Sequence, residues 1–149
     1  MEGKLEGLGV IGYNQIMAQV RKTSKTKIRL PRAVKMTLTN FQSRAVSMFP
    51  DAISKIILYG SYARGQATPD SDLDVLVVIR KDKQPAKAYI GGPGDARWNQ
   101  LVDAAVDSMT NKGPFVSVFV IGEDVFQSEF SISRAAHKEG LVLWTAQPI

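Results

Sequence analysis

Two short groups of residues, separated by ten positions, contain the side chains best suited to chemistry. Gly60 and Ser61 follow one apolar run, and Asp72 and Asp74 stand at the start of a second. Because side chains alternate along a strand, the two aspartates point to one face, about 6.6 Å apart along the chain. Carboxylate oxygens at that spacing could share one or two Mg²⁺ ions. The pattern therefore indicates a metal site beside a turn that can approach a phosphate.

The turn at Gly60 and Ser61 has the composition of an anion-binding turn. Glycine lets the backbone come close to a ligand, and successive N–H groups at such a turn can hold an anion. The Ser61 hydroxyl and the planar guanidinium of Arg64 add donors that suit phosphate oxygens. Two other interpretations remain open: Arg64 could be a surface arginine, and the aspartates could belong to a solvated turn, since residues 69–71 have turn composition.

The segments LYGSYARG, residues 58–65, and SDLDVLV, residues 71–77, resemble the motif of the polymerase-beta-type nucleotidyltransferase superfamily, in particular its minimal nucleotidyltransferase branch. The resemblance implies that the chain has the nucleotidyltransferase fold and moves a nucleoside monophosphate from ATP or another nucleoside triphosphate to an acceptor hydroxyl. It assigns catalysis and Mg²⁺ binding, with two ions possible, to Asp72 and Asp74. It assigns triphosphate binding to Gly60 and Ser61. Arg64, through its planar donors, and Ser71, within the second matching segment, are predicted to bind the nucleotide as well.

One position departs from the pattern of that superfamily. Active members usually carry a third carboxylate on a later strand, but the corresponding predicted strand, residues 115–121, has Ser117 as its one polar residue. A neutral hydroxyl cannot bind Mg²⁺ as an anion does, nor act as a base near neutral pH. Four acids could substitute for the missing carboxylate, although each also suits a helix cap or a solvated helix face: Asp103, Asp107, Glu123 and Asp124.

The order of apolar patterns predicts one α/β domain, residues 31–149, with a mixed sheet of about four strands and helices mainly on one face. A chain of 149 residues with 44% hydrophobic content suffices for one core. The predicted helices span 34–48, 98–109 with Asp95 as cap, and 125–139, and the predicted strands span 56–59, 73–79, 115–121 and 141–144. Residues 80–95 are predicted to form a mobile loop that could fold over a nucleotide.

Positive charge is concentrated at the start of the chain. Residues 1–55 carry ten Lys and Arg against three acids, whereas residues 56–149 carry nine against eleven. The densest stretch is 21–29. A solvated, flexible arm of residues 1–30 is favoured over a nucleic-acid contact, because no aromatic side chains are interleaved with the charges to stack on bases.

The amino-acid composition excludes several kinds of site and several classes of protein. The chain has no cysteine, which excludes a disulfide framework and a Cys-type zinc site. His137 is the one histidine and is given no catalytic role. No apolar run approaches the ~18 residues of a membrane span, and the first residues lack a signal pattern. A cytoplasmic protein is expected.

Two functions fit these residues. The first is Mg²⁺-dependent transfer of a nucleoside monophosphate, AMP from ATP, to a hydroxyl of a protein or small molecule. The second is a catalytically weak or silent nucleotide-binding module that acts as a partner-binding, antitoxin-like protein. The resemblance suggests a HEPN-type helical partner in a toxin and antitoxin pair. A second copy of the chain, in a homo-oligomer, could instead complete the acceptor pocket.

Overall fold

The structure, a computed structural model, describes residues 29–110 and 113–147. The predicted basic arm, residues 1–30, lies outside the described residues except for its last two positions. The elements, in chain order, are α1 (Arg32–Met48), β1 (Ile53–Tyr59), β2 (Leu73–Ile79), a 3₁₀ turn (Lys81–Lys83), α2 (Ala96–Ser108), β3 (Val116–Gly122), α3 (Glu123–Phe126), α4 (Ser131–Glu139) and β4 (Leu141–Thr145).

The four strands form one mixed sheet in the order β3-β2-β1-β4, which confirms the predicted sheet. β1 is antiparallel to both β2 and β4, and β2 runs parallel to β3. Six of the seven β2 residues are buried, as expected of a central strand covered on both faces. Because β1 and β2 form a hairpin, the end of β1 and the start of β2 meet at one end of the sheet.

Helices cover the two faces of the sheet unequally. The larger core lies between the sheet and the two long helices, α1 and α2, and includes Phe41, Leu101 and Trp144. A smaller cluster on the other face contains Phe126 of α3 and Ala136 of α4. The prediction that helices lie mainly on one face is therefore confirmed, with two short helices added on the opposite face.

The alternation of side chains along β2 decides which face of the sheet carries Asp74. Val75 and Val77 belong to the larger core, while Leu76 and Val78 belong to the smaller cluster. Asp74 therefore lies on the face of the short helices. It stands at the end of that face where β1 turns into the β1–β2 connection.

The predicted helix over residues 125–139 is wrong in one respect, because it is two helices. The Val125 carbonyl accepts hydrogen bonds from the hydroxyls of Ser128, at 2.6 Å, and Ser133, at 2.7 Å. Such side-chain bonds compete with the continuing backbone pattern of a helix. His137 of α4 then stacks on Phe126 of α3, with ring centroids 4.2 Å apart, which gives the histidine a packing role.

The predicted loop, residues 80–95, is attached to the edge of β3. The Gly91 N–H donates to the Val120 carbonyl at 2.8 Å, and the Gly122 N–H donates to the Tyr89 carbonyl at 2.9 Å. These contacts lie at the end of the sheet opposite Asp74. The expectation that this loop folds over the nucleotide site is therefore not met.

The predicted cap of α2 is confirmed. The Asp95 carboxylate accepts from the N–H groups of Arg97, at 2.9 Å, and Trp98, at 3.3 Å, which satisfies two amides of the first turn. The Tyr89 hydroxyl also donates to this carboxylate. Burial, followed by this hydrogen bond, raises the pKa of Tyr89.

Within the described part of the chain, no helix is both long enough and apolar enough to cross a bilayer.

Candidate nucleotide and metal site

The chain bends sharply where β1 ends. Gly60 has a φ of +80°, in the left-handed region that favours glycine. A Cβ atom at Gly60 would overlap a carboxylate oxygen of Asp74. The predicted phosphate turn and the predicted metal ligand are therefore in direct contact, and only a residue without a side chain fits between them.

Residues 60–65, which we call the 60–65 turn, form a single turn that does not continue into a helix. The Arg64 N–H donates to the Gly60 carbonyl at 3.1 Å, and the Gln66 N–H donates to the Ser61 carbonyl at 2.9 Å. The amide groups of residues 61–63 find no acceptor among the described residues. Free successive N–H groups at the start of a turn are what an anion site requires.

Asp72 and Asp74 carry an unfavourable concentration of negative charge. Asp72 is exposed and directly precedes β2, while Asp74 is half-buried. Burial, and then the charge of Asp72, raises the pKa of Asp74; the nearby Arg64 partly offsets this. A divalent cation between the two carboxylates would relieve the repulsion. The pair therefore fits Mg²⁺ as two of its ligands.

The rest of the coordination sphere would have to come from elsewhere. Among the residues that the structure describes, no group of three or more His, Cys, Asp or Glu side chains is placed to hold a metal ion. Mg²⁺ commonly keeps several waters and takes oxygens from substrate phosphates. Two protein carboxylates are therefore enough for a metal that arrives with a nucleotide.

Ser117, the residue predicted to stand in place of the third carboxylate, lies on the strand next to Asp74. It is opposite Asp74 in the parallel β2–β3 ladder. Neighbouring strands are about 4.8 Å apart, and side chains opposite each other share a face. Ser117 is half-buried and therefore borders the same site. The position on β3 beside Asp74 is therefore occupied by a neutral hydroxyl.

None of the four substitute acids reaches the aspartate pair. Glu123 and Asp124 follow the far end of β3, about 20 Å along the strand from Ser117. Asp124 accepts there from the Ala88 N–H at 2.7 Å and from the Val125 N–H at 2.9 Å. The other two, Asp103 and Asp107, lie on α2, whose buried residues belong to the core on the opposite face of the sheet.

The acid that reaches the site is Glu139, the last residue of α4, which sequence reasoning missed. One of its carboxylate oxygens accepts from the Gly60 N–H at 2.7 Å and from Arg64 Nη1 at 2.8 Å. Its side chain is 18% exposed, against 44% for Arg64. The Gly60 and Glu139 positions are 79 residues apart, so no local pattern joins them. The one available signal was an acid at the C-terminal end of a helix, where negative charge is disfavoured.

The remaining predicted residue, Ser71, contributes to the turn that precedes the acids. Its hydroxyl accepts from the Thr68 N–H at 2.8 Å, and its own N–H donates to the Thr68 carbonyl at 3.0 Å.

An aromatic pair also lies on the face of the site. Tyr59 is buried and meets Phe119 edge to face, with centroids 6.4 Å apart. Phe119 is 46% exposed, so an aromatic surface borders the site face.

Two solved structures align with most of the chain. One is described as a putative nucleotidyltransferase from Sulfolobus solfataricus; it has a TM-score of 0.45, 18% identity, and coverage of 91% of this chain and 90% of that one. The other is described as a toxin-antitoxin with AMP-PNP; it has a TM-score of 0.41, 18% identity, and coverage of 92% and 76%.

Sequence relatives give the stronger comparison. Two proteins of Methanocaldococcus jannaschii, each named a putative protein adenylyltransferase, are similar to this chain. The first is 29% identical over 109 residues, which cover 72% of this chain and 94% of that protein. The second is 34% identical over 84 residues, which cover 53% and 84%. The family described as nucleotidyltransferase domain matches residues 38–128, more than half of the sequence. The chain belongs to the nucleotidyltransferase domain family.

Proposed function

We propose that this chain transfers AMP from ATP, with Mg²⁺, to a hydroxyl of a protein or small-molecule acceptor. The observation that carries the proposal is the contact between Asp74 and Gly60, which sets a candidate metal ligand directly beside a turn with free amides. The names of its M. jannaschii relatives, each a "putative protein adenylyltransferase", favour ATP as donor and a protein as acceptor. The need for ATP fits the cytoplasmic location expected from the sequence.

Each site residue has a role in this proposal. Asp72 and Asp74 hold the metal, which when bound neutralises phosphate charge and orients the group that is transferred. The amides of residues 61–63 and the Ser61 hydroxyl hold the triphosphate. Arg64 adds charged donors, and Ser71 contributes through the turn that leads to Asp72. Phosphoryl chemistry needs little more than such positioning and charge stabilisation.

The bonds that change follow from the substrates. The acceptor hydroxyl oxygen forms a bond to the α-phosphorus, the bond from that phosphorus to the bridging oxygen breaks, and pyrophosphate leaves. Ser117 cannot accept the hydroxyl proton near neutral pH, so the proton passes to water. A slow reaction is expected, because the position beside Asp74 offers no general base.

Transfer of label from α-³²P-ATP tests the proposal. The chain is incubated with Mg²⁺, labelled ATP and a lysate or purified acceptor, and labelled acceptor is detected on a gel. Asp74→Asn should abolish incorporation. Asp70→Asn, which removes the same charge from an exposed turn residue, is the matched control and should leave it unchanged. Incorporation that survives Asp74→Asn would contradict the site.

A second candidate is a partner-binding module, favoured by Ser117 in the position opposite Asp74. The chain would then bind MgATP without transferring AMP, and act by holding a helical protein of the HEPN type. Co-expression with the product of the neighbouring reading frame tests this. A stable complex, together with no label transfer in its presence, is expected. A chain that ignores that product and labels an acceptor would contradict this candidate.

A further inference from the structure

We infer that Glu139 is a positioning residue that holds the 60–65 turn in the geometry that binds a triphosphate, an inference that rests on the nucleotidyltransferase function proposed above. The observation is the pair of hydrogen bonds to a single carboxylate oxygen, one from the Gly60 N–H and one from Arg64. That oxygen therefore ties the first residue of the turn to its fifth.

The register of β1 and β4 explains why Glu139 meets Gly60. Ile57 pairs with Val142 and Leu58 pairs with Leu141. The same antiparallel register, continued by two residues, sets Gly60 opposite Glu139. The chain is helical there, since α4 ends at Glu139 and β4 begins two residues later. The Glu139 side chain thus supplies the acceptor that a longer strand would have supplied from its backbone.

This arrangement leaves the phosphate-binding groups available. With the Gly60 N–H held by Glu139, the amides of residues 61–63 remain free of acceptors among the described residues. Arg64 uses Nη1 for Glu139 and Nε for Gln66, at 3.2 Å, which keeps Nη2 for a phosphate oxygen. Glu139 therefore fixes the direction of the guanidinium without using all of its donors.

Gly140 lets α4 approach β1 closely enough for the contact. A Cβ atom there would overlap the Ala136 carbonyl and come within 2.6 Å of the Ile57 side chain. The Gly140 N–H already donates to that carbonyl at 2.9 Å, closing the helix. The position of Glu139 beside the turn is thus set by packing of the helix end on the sheet.

The negative charge of Glu139 interacts unfavourably with the end of its own helix and with Asp74. A carboxylate at the C-terminal end of a helix opposes the helix dipole. It also contributes to the raised pKa of Asp74, and it would repel the phosphates of a nucleotide. The two hydrogen bonds to Gly60 and Arg64 are the favourable interactions that offset this cost. They are consistent with a role for Glu139 in fixing the geometry of the 60–65 turn.

Isothermal titration calorimetry of MgATP with Glu139→Ala and Glu139→Gln tests this role. Loss of a charge-assisted hydrogen bond should raise the Kd of the alanine variant about tenfold. Glutamine keeps an oxygen for the Gly60 N–H and should restore most of the affinity. In label transfer, KM for ATP should rise while kcat stays near wild type. Glu129→Ala, an exposed acid just before α4, is the charge-matched control and should bind like wild type.

The Gly60 amide gives a second readout that needs no nucleotide. Its hydrogen exchange, followed by NMR, should be faster in Glu139→Ala than in Glu129→Ala. In an Arg64→Ala background, Glu139→Ala should weaken MgATP binding less than it does alone, because the two residues act together.

Equal or tighter MgATP binding by both Glu139 variants would overturn the positioning role. A wild-type chain that binds no MgATP would instead overturn the proposed function.

Discussion

The carboxylate of Asp74 lies against the α carbon of Gly60, with no room for a side chain between them. The contact arises because Tyr59, the residue before Gly60, pairs with Asp74 in the β1–β2 hairpin. The chain therefore leaves the sheet at the 60–65 turn and returns beside it at Leu73, after thirteen intervening residues. A metal on the aspartates and a phosphate on the turn would be neighbours.

Gly60→Ala should weaken MgATP binding by at least about tenfold, because the new methyl group must displace Asp74 as well as adopt a positive φ. Calorimetric titration of MgATP measures this. Gly94→Ala is the matched control, because Gly94 also has a positive φ, +95°, but has no atom within 4 Å of the added carbon. It should lose about 1–2 kcal/mol of stability and keep its affinity. Equal affinity in both variants would show that the Asp74 contact is unimportant.

Asp74→Asn should raise the melting temperature of the metal-free chain at neutral pH. Burial and Asp72 raise the pKa of Asp74 in the folded state, so the folded chain binds this proton more tightly than the unfolded chain. The resulting stability is complete below the ordinary pKa of an aspartate and is lost as pH rises through the raised pKa. The advantage of the asparagine variant should therefore shrink on acidification.

When Mg²⁺ and ATP are added, the wild-type chain should have a higher melting temperature than Asp74→Asn, the reverse of the order in the metal-free proteins. Together the two ligands should raise the melting temperature of the wild-type chain, while Asp74→Asn loses most of that gain. Thermal melts with a chelator and with MgATP, at several pH values, provide the comparison. ATP binding of equal strength with and without the chelator would contradict the two-aspartate metal site.

Ser117→Asp should restore a third carboxylate beside Asp74. Because the two positions are paired across β2 and β3, the new acid should tighten Mg²⁺ binding and increase label transfer. It should also lower the stability of the metal-free chain, since a third negative charge joins the pair. The asparagine side chain of Ser117→Asn has nearly the shape of aspartate but no charge, so this variant should gain neither Mg²⁺ affinity nor label transfer. A variant that gains no Mg²⁺ affinity would place Ser117 outside the metal site.

Gln42→Met should stabilise the chain without affecting nucleotide binding. Gln42 of α1 is fully buried, and neither its amide nitrogen nor its amide oxygen has a hydrogen-bond partner within the described residues. An apolar side chain of similar length removes that desolvation cost, for a gain of about 1 kcal/mol. Urea denaturation measures the change. Gln100→Met on the exposed surface of α2 is the control and should be nearly neutral; a destabilised Gln42→Met would indicate that the amide is solvated.

Local patterns were sufficient for much of the fold. The apolar run that predicted a strand over residues 73–79 corresponds to β2, and the helical spacing before Pro50 predicted most of α1. Alternation along a strand also placed Asp74 on one face and its neighbours Leu73 and Val75 on the other. These inferences hold because side-chain direction repeats every two residues in a strand and every 3.6 in a helix.

Other relationships depended on how distant elements pack. At the break between α3 and α4, two serine hydroxyls share one carbonyl, and the hydrophobic period of the sequence does not report that. By itself, the sequence determined the motif, the central strand and the face of Asp74, all of which rest on nearby residues. Only the tertiary structure decided that Ser117 pairs with Asp74, that the four other acids lie elsewhere, and that Glu139 reaches Gly60. Strand register and the docking of a helix end are set by packing of the whole core, which short-range periodicity does not encode.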